Sequence, residues 1–233
     1  MSLPKPYYEA EGITIYNSDC RLILPHLEPV DLVLTDPPYG IKRDKGFGGF
    51  GGFGGFGKPI ARRRFEDDCW DSARPEKVLF DLILSKAHQS LIFGGNFFAD
   101  LLPQGSHWIV WDKKNTMPTF GDCELIWTNS PKKSVKIIVA EYNGLIGKEA
   151  WRSHPTQKPV KIINELFNRF EGQTILDPFM GSGTTLVAAQ ALGRKCIGIE
   201  IEEKYCQIAV QRLRQKQLPF IKAKRMLSGR RKN

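Results

Sequence analysis

Thr174-Ile175-Leu176-Asp177-Pro178-Phe179-Met180-Gly181-Ser182-Gly183-Thr184-Thr185 begins as a short apolar run, breaks at a proline and two glycines, and continues into Leu186-Val187-Ala188-Ala189. This is the pattern of a strand that turns sharply into a helix. The helix is predicted from Thr184 to Leu192, followed by a strand from Cys196 to Glu200 and a last helix from Glu202 to about Gln217. The same alternation runs upstream. Ile13 to Tyr16 reads as a strand, Leu22 to Leu27 as a brief helical stretch, and Val30-Asp31-Leu32-Val33-Leu34-Thr35 as a strand buried on both faces of a parallel sheet. Val78, Leu79, Leu82, Ile83 and Ala87 give helical spacing between Pro75 and Ser90, and Ser90 to Phe93 returns to a strand. Strands are also expected at His107 to Trp111, Cys123 to Thr128 and Val135 to Ala140. No helix separates the last two, which suggests an antiparallel portion. A helix from Pro159 places Ile162, Ile163, Leu166, Phe167 and Phe170 on one face. Strands alternating with helices predict a doubly wound α/β fold with a mostly parallel sheet.

The chain has 233 residues, 41% of them hydrophobic and 25% charged, an ordinary globular mixture that excludes disorder as its main state. No apolar run approaches the roughly 20 residues that span a bilayer, and no basic segment followed by an apolar stretch stands near residue 1, so an unexported chain is expected. Cys20, Cys69, Cys123, Cys196 and Cys206 form no CxxC pair and have no His at metal-ligand spacing. Neither a disulfide framework nor a metal site is expected, and a reducing cytoplasm fits best. The organisation expected is one domain over 1–217, carrying a Gly/Phe-rich basic loop at 41–74, and a basic tail at 218–233.

Charge is unevenly placed. Of the 34 Lys and Arg residues, ten lie from Lys204 onward, where there is no acidic residue. The remainder is therefore 24 basic against 25 acidic. A second basic group, Lys42, Arg43, Lys45, Lys58, Arg62, Arg63 and Arg64, flanks the loop and is opposed there by Asp44. Concentrated positive charge favours a polyanion, because each neutralised phosphate releases a counterion; the alternative is a solvated tail and a solvated loop. Residues 46–57 repeat Gly-Phe-Gly, which can neither hold a helix nor build a core, so a mobile loop is expected.

Two constellations carry chemistry. In the first, the glycines of 177–185 let a ligand approach the backbone at a helix N-terminus, and Glu200 ends the next strand, where it can accept ribose hydroxyls. Together they describe a nucleoside site. The third glycine of a dinucleotide fingerprint is missing, and no phosphate-loop Gly-x-x-x-x-Gly-Lys is present. In the second, Asp36-Pro37-Pro38-Tyr39-Gly40 follows a buried strand. Consecutive prolines stiffen the backbone and present carbonyl oxygens. A carboxylate, a rigid carbonyl and an aromatic face within four residues suit an exocyclic amino group on a planar base. Asp36 and the Pro37 carbonyl accept its two hydrogens, and Tyr39 stacks on the ring.

Asp36 to Gly40, His154-Pro155-Thr156-Gln157-Lys158-Pro159, and Asp177 to Thr185 followed by Glu200 resemble the motifs of the S-adenosylmethionine-dependent DNA amino-methyltransferases, with the catalytic motif first, as in the β group. The resemblance runs from about Ile13 to about Arg212 and implies a Rossmann-like methyltransferase fold in permuted order. It also implies catalytic roles for Asp36, Pro37, Pro38 and Tyr39. The methionine end of the cofactor would lie on Asp177, Phe179, Gly181, Ser182, Gly183 and Thr184, and its ribose on Glu200. Asp19 resembles the acidic position near the adenine of the cofactor. Lys158 would pair with the cofactor's carboxylate, or else serve to cap a helix. The chain between Trp111 and His154 is short and leaves little room for the separate target-recognition region of many relatives. Sequence choice would then fall to 41–74, to 115–129 or to the tail, or be lax.

The expected reaction is methylation of adenine N6 in double-stranded DNA, with the target base flipped out. An Asp at the first motif position occurs more often in adenine enzymes and a Ser more often in cytosine enzymes. Methylation of cytosine N4, and a DNA-binding regulator with a decayed site, are the alternatives. The covalent route to cytosine carbon is disfavoured because no cysteine follows a proline. The sequence leaves the oligomeric state open, a homodimer included.

Overall fold

The computed structural model describes residues 3–41, 73–105, 107–115, 121–132, 134–142 and 157–215. Along these residues the order is β1 (Tyr8–Ala10), β2 (Ile13–Asn17), α1 (Cys20–Ile23), β3 (Val30–Thr35), α2 (Lys77–Leu84), β4 (Ala87–Phe93), β5 (Trp108–Asp112), β6 (Cys123–Thr128), β7 (Lys136–Val139), α3 (Val160–Phe167), β8 (Thr174–Asp177), α4 (Thr184–Ala191), β9 (Lys195–Glu200) and α5 (Glu203–Arg214). The strands form one sheet in the order β1-β2-β9-β8-β3-β4-β6-β5-β7. Its central run from β2 to β4 is parallel throughout.

The two-residue period of β3 shows how the sheet is filled. Leu32 and Leu34 point into a core shared with α3, α4 and α5, whereas Val33 points into the opposite core shared with α1 and α2. All three are fully buried. Each such side chain contributes about 2 kcal/mol of hydrophobic stabilisation, so a one-residue slip of β3 would exchange both faces at once. The helices thus cover both sides, as the doubly wound fold requires. No helix among the described residues is long and apolar enough to cross a membrane.

Two expectations are corrected, and one strand is added. The helix predicted toward Ser90 ends at Leu84, because from Ala87 onward the chain is drawn into register with β3, Ala87 opposite Val30. Its buried residues are Phe80 and Ile83, while Val78 is 76% exposed. The strands at 123–128 and 136–139 are not neighbours. β5 lies between them, antiparallel to β6 and parallel to β7, so the antiparallel portion is formed by β4, β6 and β5. Finally, β1 was not anticipated. It pairs antiparallel with β2 through Glu11-Gly12, both at positive φ, as a tight hairpin requires. The loop at 42–72 and the tail from 216 onward lie outside the described residues.

Candidate active site

From β8 the chain crosses to β9 by α4, and from β3 it crosses to β4 by way of α2, on the other face. The strand order therefore reverses between β8 and β3. A crevice opens beyond the carboxyl ends of strands at such a point. Here it holds a cavity of about 230 Å³ lined by Asp36, Lys158, Asp177, Gly181, Glu200 and Tyr205, among others.

One wall is the turn between β8 and α4. Asp177 is buried, and its Oδ1 accepts from the Thr35 hydroxyl at 2.7 Å and from the Phe179 N–H at 3.2 Å. Glu200 accepts from the Gly181 N–H at 3.0 Å and from the Glu202 N–H at 2.9 Å. Burial pushes Asp177 up to about 6 and Glu200 up to about 7, against hydrogen bonds that pull the other way. The two glycines differ in purpose. A Cβ on Gly183 would come within 2.7 Å of the Cβ of Ala209, so this position lets α4 and α5 approach. A Cβ on Gly181 would meet no atom within 4 Å, and Gly181 lines the cavity, so this position keeps ligand space open. Arg212, on α5, donates to the Ser182 carbonyl at 2.7 Å and to the Thr184 hydroxyl at 3.1 Å. The Ser182 hydroxyl donates to Gln157 Oε1 at 3.1 Å, joining the turn to the segment that leads into α3.

The other wall is made of ions. Asp36 accepts the Tyr39 hydroxyl on Oδ1 at 2.6 Å and the Lys158 ammonium on Oδ2 at 2.5 Å. Lys158 Nζ also stands 3.4 Å from Glu124 Oε2, and Lys113 donates to Glu124 Oε1 at 2.6 Å. Burial is the largest influence on Asp36 and raises it; Lys158 opposes the rise and Glu124 adds to it. Burial alone would lower the Lys158 ammonium, but Asp36 and Glu124 outweigh it and hold the group above its ordinary value. Burial likewise works against the Glu124 charge, and Lys158 and Lys113 outweigh it, holding this carboxyl low. The Tyr39 ring is stacked on Phe97, with centroids 4.6 Å apart and planes 15° apart.

Most of the predicted residues come together here. Asp36, Pro38, Lys158, Asp177, Phe179, Gly181, Ser182, Thr184 and Glu200 all line the one cavity. Pro37 is buried between the lining residues Asp36 and Pro38 in the chain, and Tyr39 bonds to Asp36. Lys158 does not cap α3, whose N-cap is Pro159; its ammonium is engaged by Asp36. Asp19 is not among the lining residues. It caps α1 and pairs with the Arg21 guanidinium. Lys42, Arg43, Lys45, Lys58, Arg62, Arg63 and Arg64 lie outside the described residues, as do His154 to Thr156. Sequence reasoning missed Thr35, Glu124 and Arg212. For Glu124 a signal existed: an acid inside the apolar strand Cys123–Thr128 has to find a cation once that strand is buried.

Residues 106–211 match a family described as DNA methylase. The chain is 29% identical to the type II methyltransferase M2.LlaDCHI of Lactococcus lactis subsp. cremoris, over 91% of this chain and 93% of that protein. It is 27% identical to the type II methyltransferase M2.DpnII of Streptococcus pneumoniae, over the same shares. Among solved structures, the M1.HpyAVI–SAM complex aligns with a TM-score of 0.56 and 24% identity, over 86% of this chain and 100% of that one. The PvuII DNA methyltransferase, described as cytosine-N4-specific, aligns with a TM-score of 0.60 and 17% identity, over 92% and 91%. At these identities the two structures speak for the fold.

Proposed function

We propose that this chain, a member of the DNA methylase family, transfers a methyl group from S-adenosylmethionine to the exocyclic N6 of adenine in DNA, with the target base turned out of the duplex. The observation that carries this reading is one of position. Asp36, fixed by two prolines, stands on the same cavity as the glycine turn and Glu200. A nucleoside-binding wall thus faces an acceptor for an amino group.

The residues present fit the cofactor. Asp177, Glu200 and Glu202 line the cavity, and Lys158, the one cation among its described lining residues, is offset by its pairing with Asp36, so the site favours a positively charged ligand. Open space in front of Gly181 accommodates it. Glu200 would hold the ribose hydroxyls, and the β8–α4 turn the methionine end. When bound, S-adenosylmethionine supplies a methyl group on a sulfonium centre. The target nitrogen is a poor nucleophile because its lone pair is delocalised into the ring. Asp36 and the Pro37 carbonyl would each accept one of its hydrogens and aim the lone pair across the cavity. Tyr39, backed by Phe97, would give the displaced base a flat wall. Most of the acceleration then comes from positioning and fixed dipoles.

An Asp at position 36 supports adenine over cytosine, and the similarity to type II methyltransferases supports a restriction-modification setting. The test is to sequence DNA from cells expressing the protein with a method that reports modified bases and their context. N6-methyladenine in a fixed context is the expected result. N4-methylcytosine would reassign the base, and unmodified DNA together with failure to bind labelled S-adenosylmethionine would overturn the reading.

A further inference from the structure

Two prolines follow Asp36 and restrict its backbone, and the ammonium of Lys158 sits 2.5 Å from its Oδ2. An ion pair this close draws off the negative charge that should polarise an amino hydrogen. Withdrawing the ammonium with nothing to receive it would leave both ions uncompensated in a largely enclosed site. The structure offers an exchange instead. Glu124 Oε2 lies 3.4 Å from the same ammonium, within reach of a small side-chain movement. Glu124 is itself held still: it lies opposite Trp111 in the β5–β6 ladder, and Lys113 fixes its other oxygen at 2.6 Å. Asp36, Glu124, Lys158 and Lys113 are two anions and two cations, so the cluster as a whole stays neutral when Lys158 moves toward Glu124, and Asp36 keeps its negative charge for the amino group that replaces the ammonium. The ring of Phe93, with its centroid 5.1 Å from the Lys158 nitrogen, forms an apolar floor beneath the ammonium.

We propose that Glu124 is a positioning residue for methyl transfer, receiving the Lys158 ammonium as the target amino group takes its place on Asp36. Resting on the reading of Asp36 given above, this makes the Lys158–Asp36 pair the resting state of the site and the Lys158–Glu124 pair the state of the reacting complex. No proton or covalent bond changes hands in the exchange. Glu124 does not line the cavity, so it acts on the rate through Lys158 and not through cofactor affinity.

The test compares the parent with Glu124→Gln, Lys158→Met and the double variant, by single-turnover methylation of duplex DNA and by binding of S-adenosylmethionine. Glu124→Gln is expected to slow transfer roughly 10- to 100-fold, with a cofactor Kd within about twofold of the parent. On the Lys158→Met background the same change should cost less than about twofold, since the residue through which it acts is gone. A merely structural role would multiply the two losses instead. Parental rates for Glu124→Gln, or multiplied losses, would overturn the proposal. Should Glu124→Gln fail to fold, Lys113→Met/Glu124→Gln keeps the cluster neutral and must show the same slowing; a parental rate there also overturns it. Failure of the functional reading is distinguishable, because the unmodified chain would then methylate neither adenine nor cytosine.

Discussion

On the β8–β9 wall of the cavity, apart from Thr35, which reaches Asp177 across 142 positions, the polar groups are held from within 30 positions along the chain. Phe179 N–H reaches Asp177 across two positions, Gly181 N–H reaches Glu200 across 19, and Arg212 reaches Ser182 across 30. Most of these partners are neutral backbone groups that have no competing use. On the β3–β6 wall, Lys158 and Asp36 are 122 positions apart, and each ion is held by other ions. The first wall is preformed and needs only to receive a ligand. The second must change partners when a base arrives, because the acceptor the chemistry needs is already engaged. A site that receives a small ligand on one wall and a second substrate on the other is well served by this division.

The largest effect should follow from breaking the ionic wall at its centre. Asp36→Ala removes an acceptor whose contribution peaks in the transition state, so methyl transfer should fall about 10²- to 10³-fold. The cofactor Kd, set by the other wall, should stay within about twofold. Single-turnover rates and equilibrium binding measured on the same protein check both halves of this expectation. A loss confined to cofactor binding would mean that the two walls are not separate.

Next in size is a pair of changes on the preformed wall. Gly183→Ala forces a side chain into positive φ and against Ala209. Backbone strain of about 1–2 kcal/mol and overpacking of about 1–3 kcal/mol should together lower Tm by several degrees. Gly181→Ala carries the same backbone strain but no clash, and its methyl group enters ligand space. It should therefore raise the cofactor Kd about 10-fold while lowering Tm less than Gly183→Ala does. Calorimetry and a binding titration separate the two; equal effects on Tm would show that Gly181 is also a packing residue.

The division between the walls also marks how much of the molecule could be read from its sequence. The Asp177–Thr185 turn, the strands around it and Glu200 were legible because their contacts are local and their glycines are demanded by backbone geometry. The helical face of α3 was legible from its spacing, since Ile162, Ile163, Leu166 and Phe167 are all buried. The insertion of β5 between β6 and β7 was not, because each of these strands is a short apolar run that suits any neighbour. Nor could the partner of Lys158 be read. A lysine placed before a helix has several possible partners, and only the sheet brings Asp36 and Glu124 to it. Thr35 shows the same limit: it reads as the last residue of a strand, and its bond to Asp177 arises from the pairing of β3 with β8.

The smallest effect concerns protons on the preformed wall. Burial raises Glu200 to about 7, so in the ligand-free protein its charge is lost as pH falls through neutrality. An ionised carboxylate accepts ribose hydroxyls better than a protonated one, and a cationic ligand favours ionisation further. Binding should therefore release a proton near pH 7, and affinity should decline by about 10-fold between pH 8 and pH 6. The stability of the ligand-free fold must move in the opposite sense. A carboxyl whose folded pKa lies above its unfolded value of 4.5 stabilises the fold fully below that value, and this contribution is lost as pH rises through about 7. Glu200→Gln, which cannot ionise, should flatten both trends, leaving a uniformly weaker cofactor complex. Asp177, raised to about 6, adds its own dependence at the acid end, which the Glu200→Gln variant isolates. Calorimetric titrations in buffers of different ionisation enthalpy would count the released proton directly. An unchanged proton count in Glu200→Gln would assign the titration to another group and would place the ribose away from Glu200.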